Sequence, residues 1–291
     1  MTGLYFLSID TASINGLKAP VNSLVPGAPI DIASTARLKT KSYSAFGQLS
    51  LDLTDQLRLV GGMRIISEHK QYYFIQELYA SPDPYRVQPA AGLLFPIGPT
   101  YPGGVPTAYT DKDTHTLYAG KLQLEYRPNS DALYYLGINR GVKAGSYNAQ
   151  LNGGLPTPPS AIKYGDETLW SYEGGFKLTL ADNRIRLNGA VYYYDYKNYQ
   201  SFLFTGVAGL VVNADARTIG GELSIQANPF PGLDLSASVS VFDATVKDVP
   251  LRVGGPISRD VKPTYAPETQ LAGFARYGWA MWGGEMAVKA D

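Results

Sequence analysis

From Arg184 to Tyr199 the chain reads RIRLNGAVYYYDYKNY, and its first half alternates: Ile185, Leu187, Gly189 and Val191 fall on one side, Arg186, Asn188 and Ala190 on the other. Alternation of this kind is the period of a β-strand with one dry and one wet face. The stretch runs about 16 residues, whereas strands of soluble domains usually run about 5 to 6. A tilted strand crosses a bilayer in about 9 to 11 residues. Tyr192, Tyr193, Tyr194, Tyr196 and Tyr199 fall where such a strand leaves the hydrocarbon. The stretch therefore predicts a transmembrane β-strand, and its outward tyrosines read as an interfacial girdle rather than a stacking platform for a sugar.

The same pattern recurs along the chain. Leu49, Leu51 and Leu53 oppose Gln48, Ser50 and Asp52; Leu122, Leu124 and Tyr126 oppose Lys121, Gln123 and Glu125; Leu223, Ile225 and Ala227 oppose Glu222, Ser224 and Gln226. Leu233, Leu235, Ala237, Val239 and Val241 face away from Asp234, Ser236, Ser238 and Ser240. Short turn signals at 54–56, 128–131, 181–183, 228–232 and 278–281 alternate with long Pro- and Gly-rich stretches at 11–35, 76–110, 150–166 and 249–263, plus a loop near 201–210. Short turns at one end and uneven loops at the other are the organisation of an up-and-down membrane barrel. A sandwich or propeller would show turn signals every 8 to 12 residues or so. The expected fold is all-β: a partial transmembrane antiparallel up-and-down β-barrel of about 10–11 strands.

Composition narrows the function classes. Lys plus Arg and Asp plus Glu number 25 each, so no net field recruits nucleic acid. Cysteine is absent, which removes disulfides, thiolate zinc sites and cysteine nucleophiles. No run of 18 apolar residues provides a spanning helix, although a barrel strand needs apolar residues only at alternate positions. The start, MTGLYFLSID, lacks the pattern of a secretion signal that an outer-membrane protein requires; either the outer-membrane reading fails or the natural N-terminus lies further upstream.

GVKAGSYN at 141–148, ETLWSYEGGFK at 167–177, the opening stretch, NADARTIGGELSIQANP at 213–229 and YAPE at 265–268 together resemble the barrel half of TonB-dependent outer-membrane receptors. SYSAFGQLSLDLTDQLRLVGGMRIISEHK at 42–70 is similar to an earlier part of the same barrel. The resemblance implies a barrel of twenty-two strands, plugged by an N-terminal domain, in the bacterial outer membrane. It also implies uptake of a scarce nutrient, a ferric siderophore foremost, with TonB engaged through the plug and lipid around the wall. Residues 1–291 are then a partial barrel, with the plug domain and the C-terminal closing strands absent. Two other functions share part of the pattern: a passive porin-like channel, and a soluble or surface carbohydrate-binding β-protein.

No enzymatic, cofactor or metal motif emerges. His69 and His115 lie near strand ends without HExxH spacing and read as solvated loop or lumen residues. Glu167 and Glu173 flank a wall strand, and the glycines at 141, 145, 174 and 175 lack phosphate-loop spacing, so they read as bulge or close-approach positions. Arg64, Arg140, Lys143, Arg186 and Glu222 are assigned to the polar, lumenal side, where the cations would attract an anionic chelate or neutralise acidic plug residues. The candidate ligand contacts are Tyr79, Tyr85, Tyr101, Tyr109 and Tyr164 from the loops, with Arg140 and Lys143.

Overall fold

The computed structural model describes residues 1–19, 30–80, 108–148, 162–205, 208–250 and 257–291. One antiparallel sheet dominates it, and its strands stand in chain order. The strands are β1 (Thr2–Ala19), β2 (Ile30–Asp52), β3 (Leu57–Ala80), β4 (Ala108–Asn129), β5 (Ala132–Lys143), β8 (Glu167–Leu180), β9 (Ile185–Thr205), β10 (Ala208–Ala227), β11 (Leu233–Pro250), β13 (Thr269–Met281) and β14 (Gly284–Ala290). A short β12 (Ser258–Val261) pairs with β11, and β6 (Ser146–Tyr147) with β7 (Lys163–Tyr164) makes a separate hairpin. Among the described residues β1 pairs only with β2 and β14 only with β13, so the wall is not closed.

The short turns expected from the sequence fall at one end, and local chemistry explains them. The Thr54 hydroxyl accepts from the amides of Gln56 (3.2 Å) and Leu57 (3.0 Å), and Asn129 Oδ1 accepts from the amide of Asp131 (3.0 Å). Both are side-chain turns of the kind Thr and Asn favour. Trp282 and Gly283 both have positive φ (51° and 79°), as a two-residue hairpin turn that follows strand twist requires. The last turn thus sits at 282–283 rather than at 278–281, because β13 runs on to Met281. Gly232, at φ 89°, lies so close to the Gly278 carbonyl that a Cβ would collide with it.

At the opposite end the strands are longer than the sequence pattern shows. The expected loop over 11–35 is largely ladder, since β1 and β2 stay paired as far as Ala19↔Ile30. Likewise β9 and β10 pair through Thr205↔Ala208 inside the expected 201–210 loop. The β1–β2 extension carries mainly Ser, Thr, Ala, Asn and charged residues, because beyond a bilayer neither face of a strand needs to be apolar, whereas the β9–β10 extension, SFLFT and AGLVV, is a continuous apolar run that the alternation pattern does not detect.

The ladders set the two faces. Leu49 (77% exposed), Leu136 (67%), Val191 (66%) and Leu271 (78%) share an outer face with Met63, Ile138 and Leu223. Outward aromatics border this apolar band on both sides: Tyr43, Tyr118, Trp170, Tyr172 and Tyr193 toward the long connections, Tyr126, Tyr134, Phe230, Tyr277 and Trp279 toward the short turns. Tyr126 and Tyr134 stack at 6.4 Å, and Tyr277 and Trp279 at 5.8 Å. Aromatic girdles flanking an apolar band are the outer surface of a transmembrane barrel.

The tyrosine cluster of the opening stretch divides between the faces. Parity and register place Tyr193 outward beside Tyr172, whereas Tyr192, Tyr194 and Tyr196 point inward opposite Gly220, Thr218 and Ala216. Tyr193 is thus a girdle residue, as expected for an outward tyrosine, and Tyr192, Tyr194 and Tyr196 form an inner aromatic ladder.

Candidate functional site at the long-connection end

The inner face is most buried where the connection between β5 and β8 folds back over β3 and β4. Tyr72 (3% exposed) and Tyr147 (8%) stack in parallel with ring centroids 4.5 Å apart, and Tyr109 tilts against both at 6.1 and 6.4 Å. Ala36, Phe74 and Ile162 complete the cluster. Phe74 pairs with Ala36 on one side and Tyr109 on the other, so the ladder alone brings β2, β3 and β4 to one patch. Only the returning connection supplies Tyr147 and Ile162.

Polar contacts clamp that return. The Lys70 ammonium, 7% exposed, donates to the Gly145 carbonyl at 2.6 Å and pairs with Glu68 at 2.8 Å. The Tyr147 hydroxyl donates to Asp111 Oδ2 at 2.9 Å. Lys163 Nζ lies 2.7 Å from Asp113 and 3.6 Å from Asp111. Buried His115 has Nδ1 2.7 Å from Asp166 Oδ1 and Nε2 3.0 Å from Asp113 Oδ2. The Asp113 approach leaves Nε2 without a hydrogen bond. On the far side the Asn148 side chain exchanges two hydrogen bonds with the Val211 backbone, at 2.9 and 2.8 Å. The Asn213 carboxamide oxygen accepts from the Gly165 amide at 2.6 Å. Gly145 is required by close approach, because a Cβ there would strike the Tyr164 carbonyl.

The electrostatics follow from this packing. Burial, then the hydrogen bond to Asp111, pushes the Tyr147 phenol well above its usual range, and burial does the same to Tyr72. Burial would raise the Asp113 carboxyl, but the Lys163 hydrogen bond and the adjacent His115 and Lys163 charges outweigh it and hold it low. Lys163 is raised, chiefly by its hydrogen bond to Asp113.

The predicted contact residues are dispersed. Tyr109 stands at the edge of the aromatic cluster, and Tyr164 pairs with Ser146 in the small hairpin. Lys143, exposed, ends β5 on the inner face opposite Glu167. Tyr79 pairs with Asp31 in the β2–β3 ladder, and Tyr85 and Tyr101 lie outside the described residues. Arg64, Arg186 and Glu222 lie on the inner face as expected, Arg64 donating to the Ser44 hydroxyl at 3.0 Å.

Arg140 does not share that face. It follows Leu136 and Ile138 outward, its guanidinium 3.7 Å from the Tyr118 ring and 6.0 Å from Trp170, donating to Thr168 Oγ1 at 3.3 Å and to the Tyr118 carbonyl. At girdle height a cation sits outward without penalty by stacking on aromatic faces and reaching the interface. Its charge suggested the lumen; its parity places it outside. Tyr72, Tyr147, Asp111, Asp113, Lys163 and Asp166 are the residues that sequence reasoning missed, and His115, expected as a solvated loop or lumen residue, is on the inner face but buried beneath the returning connection. The available signal was parity: on β4, Asp111, Asp113 and His115 fall in step with Lys121, Gln123 and Glu125.

Solved structures with the same wall carry different cargo in their names. The ferric yersiniabactin uptake receptor FyuA from Yersinia pestis matches 98% of this chain at TM-score 0.65 and 18% identity. The siderophore receptor PiuA from Acinetobacter baumannii matches 87% at 0.57 and 13%, and the copper transporter OprC matches 99% at 0.56 and 12%. The chain spans 38%, 33% and 45% of those proteins respectively, less than half of each. At these identities the likeness is one of fold. The family model described as TonB dependent receptor-like, beta-barrel matches residues 3–290, nearly the whole chain, and the protein belongs to that family.

Proposed function

We propose that this chain is part of the wall of a bacterial outer-membrane receptor that imports a scarce nutrient, a ferric siderophore foremost, with energy relayed by TonB. The observation that carries the proposal is the returning connection at 144–148 and 162–166. It is bonded to β3, β4 and β10 and covers the inner face. A passive channel has use for an unobstructed inner face, whereas a receptor has use for a structured one that meets ligand before admission. Tyr109, Lys143 and Tyr164 border this covered region, and with Tyr79, Tyr85 and Tyr101 they are the proposed ligand-contacting positions. The TonB-contacting plug and the strands that close the wall are proposed to come from polypeptide beyond these 291 residues. The role is transport, without a catalytic step.

The test is uptake of radiolabelled iron, supplied as a panel of ferric siderophores, by cells with and without the gene, before and after a protonophore. Uptake of at least one chelate should require the gene and stop when the inner-membrane gradient collapses. Gene-dependent uptake that survives the protonophore would identify a passive channel, and gene-independent uptake of every chelate would remove the siderophore assignment.

A further inference from the structure

His115 lies on the inner face of β4, 7% exposed, with a carboxylate on each side of its ring. Nδ1 is 2.7 Å from Asp166 Oδ1, and Nε2 is 3.0 Å from Asp113 Oδ2 without a hydrogen bond between them. A ring with one proton, on Nδ1, donates to Asp166 and turns a nitrogen lone pair toward the Asp113 oxygen. A ring with two protons is a cation, and both carboxylates attract it. The same Asp166 oxygen accepts from the Gly145 amide at 2.7 Å, so whatever holds Asp166 also holds the returning connection.

The surrounding ionisable groups leave Asp166 to His115. On β3, Glu68 stands opposite His115 in the ladder and pairs with Lys70 at 2.8 Å. On β4, Asp113 pairs with Lys163 of the connection at 2.7 Å. Asp111 lies 3.6 Å from the same ammonium and accepts from the Tyr147 hydroxyl at 2.9 Å. Lys143 of β5 lies opposite Glu167, whose carboxylate accepts from the Gln200 amide at 2.7 Å. From β2, β9 and β10 the neighbouring side chains are Ser42, Gln200 and Asn213, none of which titrates. Burial holds the phenols of Tyr72, Tyr109 and Tyr147 above their usual range. Among the described residues, Asp166 has His115 as its one ion-pair partner.

We infer that His115 is a proton-operated latch: the doubly protonated ring fastens Asp166, and through it Gly145, over the inner face, and loss of one ring proton slackens the connection. The inference rests on the reading of this connection as the cover of the inner face. Histidine is the side chain whose ordinary titration falls between about pH 5 and 8. Carboxylates titrate below that window, and ammoniums and phenols above it. A hydrogen bond from a charged donor is roughly twice as strong as a neutral one, so the latch changes strength while keeping its partners. The hold is complete on the acid side of the window and weakens as pH rises through it.

Hydrogen exchange of the full-length receptor in detergent tests the latch between about pH 5 and 8. It is read by mass spectrometry on fragments covering 144–148 and β13 (Thr269–Met281), and divided by the intrinsic rate at each pH. Protection at 144–148 should fall roughly tenfold across the window, the difference between a charge-assisted and a neutral hydrogen bond, while β13 stays level. His115→Gln, which can donate to Asp166 but cannot titrate, should remove the step. Asp166→Asn, which keeps an acceptor for Nδ1 and removes the charge, should flatten it too. Heat-modifiable migration checks folding; if His115→Gln does not fold, Asp166→Asn carries the test. A flat parental profile would overturn the inference, as would a parental step in either variant. No cargo enters the measurement, so a flat profile leaves import standing and a failed uptake assay leaves the step intact. Exchange at the intrinsic rate at every pH would remove the cover itself, and the latch with it.

Discussion

His115 Nδ1 meets Asp166 Oδ1 at 2.7 Å, tying the middle of β4 to the residue just ahead of β8. The same carboxylate oxygen accepts from the Gly145 amide at 2.7 Å, so one side chain holds both ends of the returning connection.

Replacing Asp166 by Ala should release that connection. Two contacts to a partly exposed carboxylate are lost, a local cost of about 1 to 2 kcal/mol. Hydrogen exchange at the Gly145 and Asn148 amides should accelerate accordingly while β13 amides do not change. Parental exchange at both amides would mean that the clamp lies elsewhere.

The Lys163–Asp113 pair should hold between two pH limits. Asp113 is depressed in the folded chain, so its contribution is present above the ordinary carboxylate pKa of about 3.9 and is lost as pH falls through its lower folded value. Lys163 is raised, so its contribution is complete below about 10.4 and is lost as pH rises through its higher folded value. The protection that this pair gives the Tyr147 amide, after division by the base-catalysed intrinsic exchange rate, should therefore be flat in between and fall at both extremes. In Lys163→Met the alkaline loss of protection assigned to this pair should vanish; an unaltered alkaline limb would assign it to another group.

Val191→Arg should impair barrel assembly far more than Asn188→Ala. Val191 is outward and 66% exposed, toward the upper part of the apolar band, while Asn188 is inward and reaches the Ser224 hydroxyl at 3.4 Å. A lipid-facing arginine costs about 2 to 4 kcal/mol at the bilayer midplane and less toward the interface, so about 2 kcal/mol is expected here. Urea titration of the refolded full-length receptor measures both, and equal effects would invert the assignment of faces.

Gly175→Leu tests the inner wall. A Cβ at Gly175 would lie 2.6 Å from the Tyr135 hydroxyl, which itself donates to Glu173 at 2.6 Å. Overpacking of this kind costs about 1 to 3 kcal/mol. Adding Tyr135→Ala should recover part of the loss. A double variant no better than the single one would show that Gly175 answers to the Gly189 carbonyl, also 2.6 Å away, instead.

The wall was legible in the sequence wherever one face meets lipid. From Leu49 to Leu53, Leu122 to Tyr126 and Leu233 to Val241, the alternation read from residue types matches the register of the ladders. Among the described residues eleven strands pair in chain order, in keeping with the 10–11 that the pattern predicts. The pattern fades above the girdle, where Thr11 to Ala19 and Ile30 to Thr35 are nonetheless strand, since water on the outer face removes the demand for apolar residues. Arg140 was misplaced because charge is weaker evidence of side than parity when an aromatic pair stands ready to receive a guanidinium at the interface.

What the sequence by itself determined is therefore the period, the length and the two faces of the strands, because those are local consequences of placing apolar side chains at every second position. Which residues form the covered mouth was decided only by tertiary structure. Tyr72 and Tyr147 are distant in sequence, and nothing in either segment announces a stacking partner. They meet because β3 carries Tyr72 to the inner face and Lys70, Asp111, Asp113 and His115 draw the connection after β5 back across it. Contacts between segments so far apart depend on the register of every intervening strand, and that register exists only once the wall has formed.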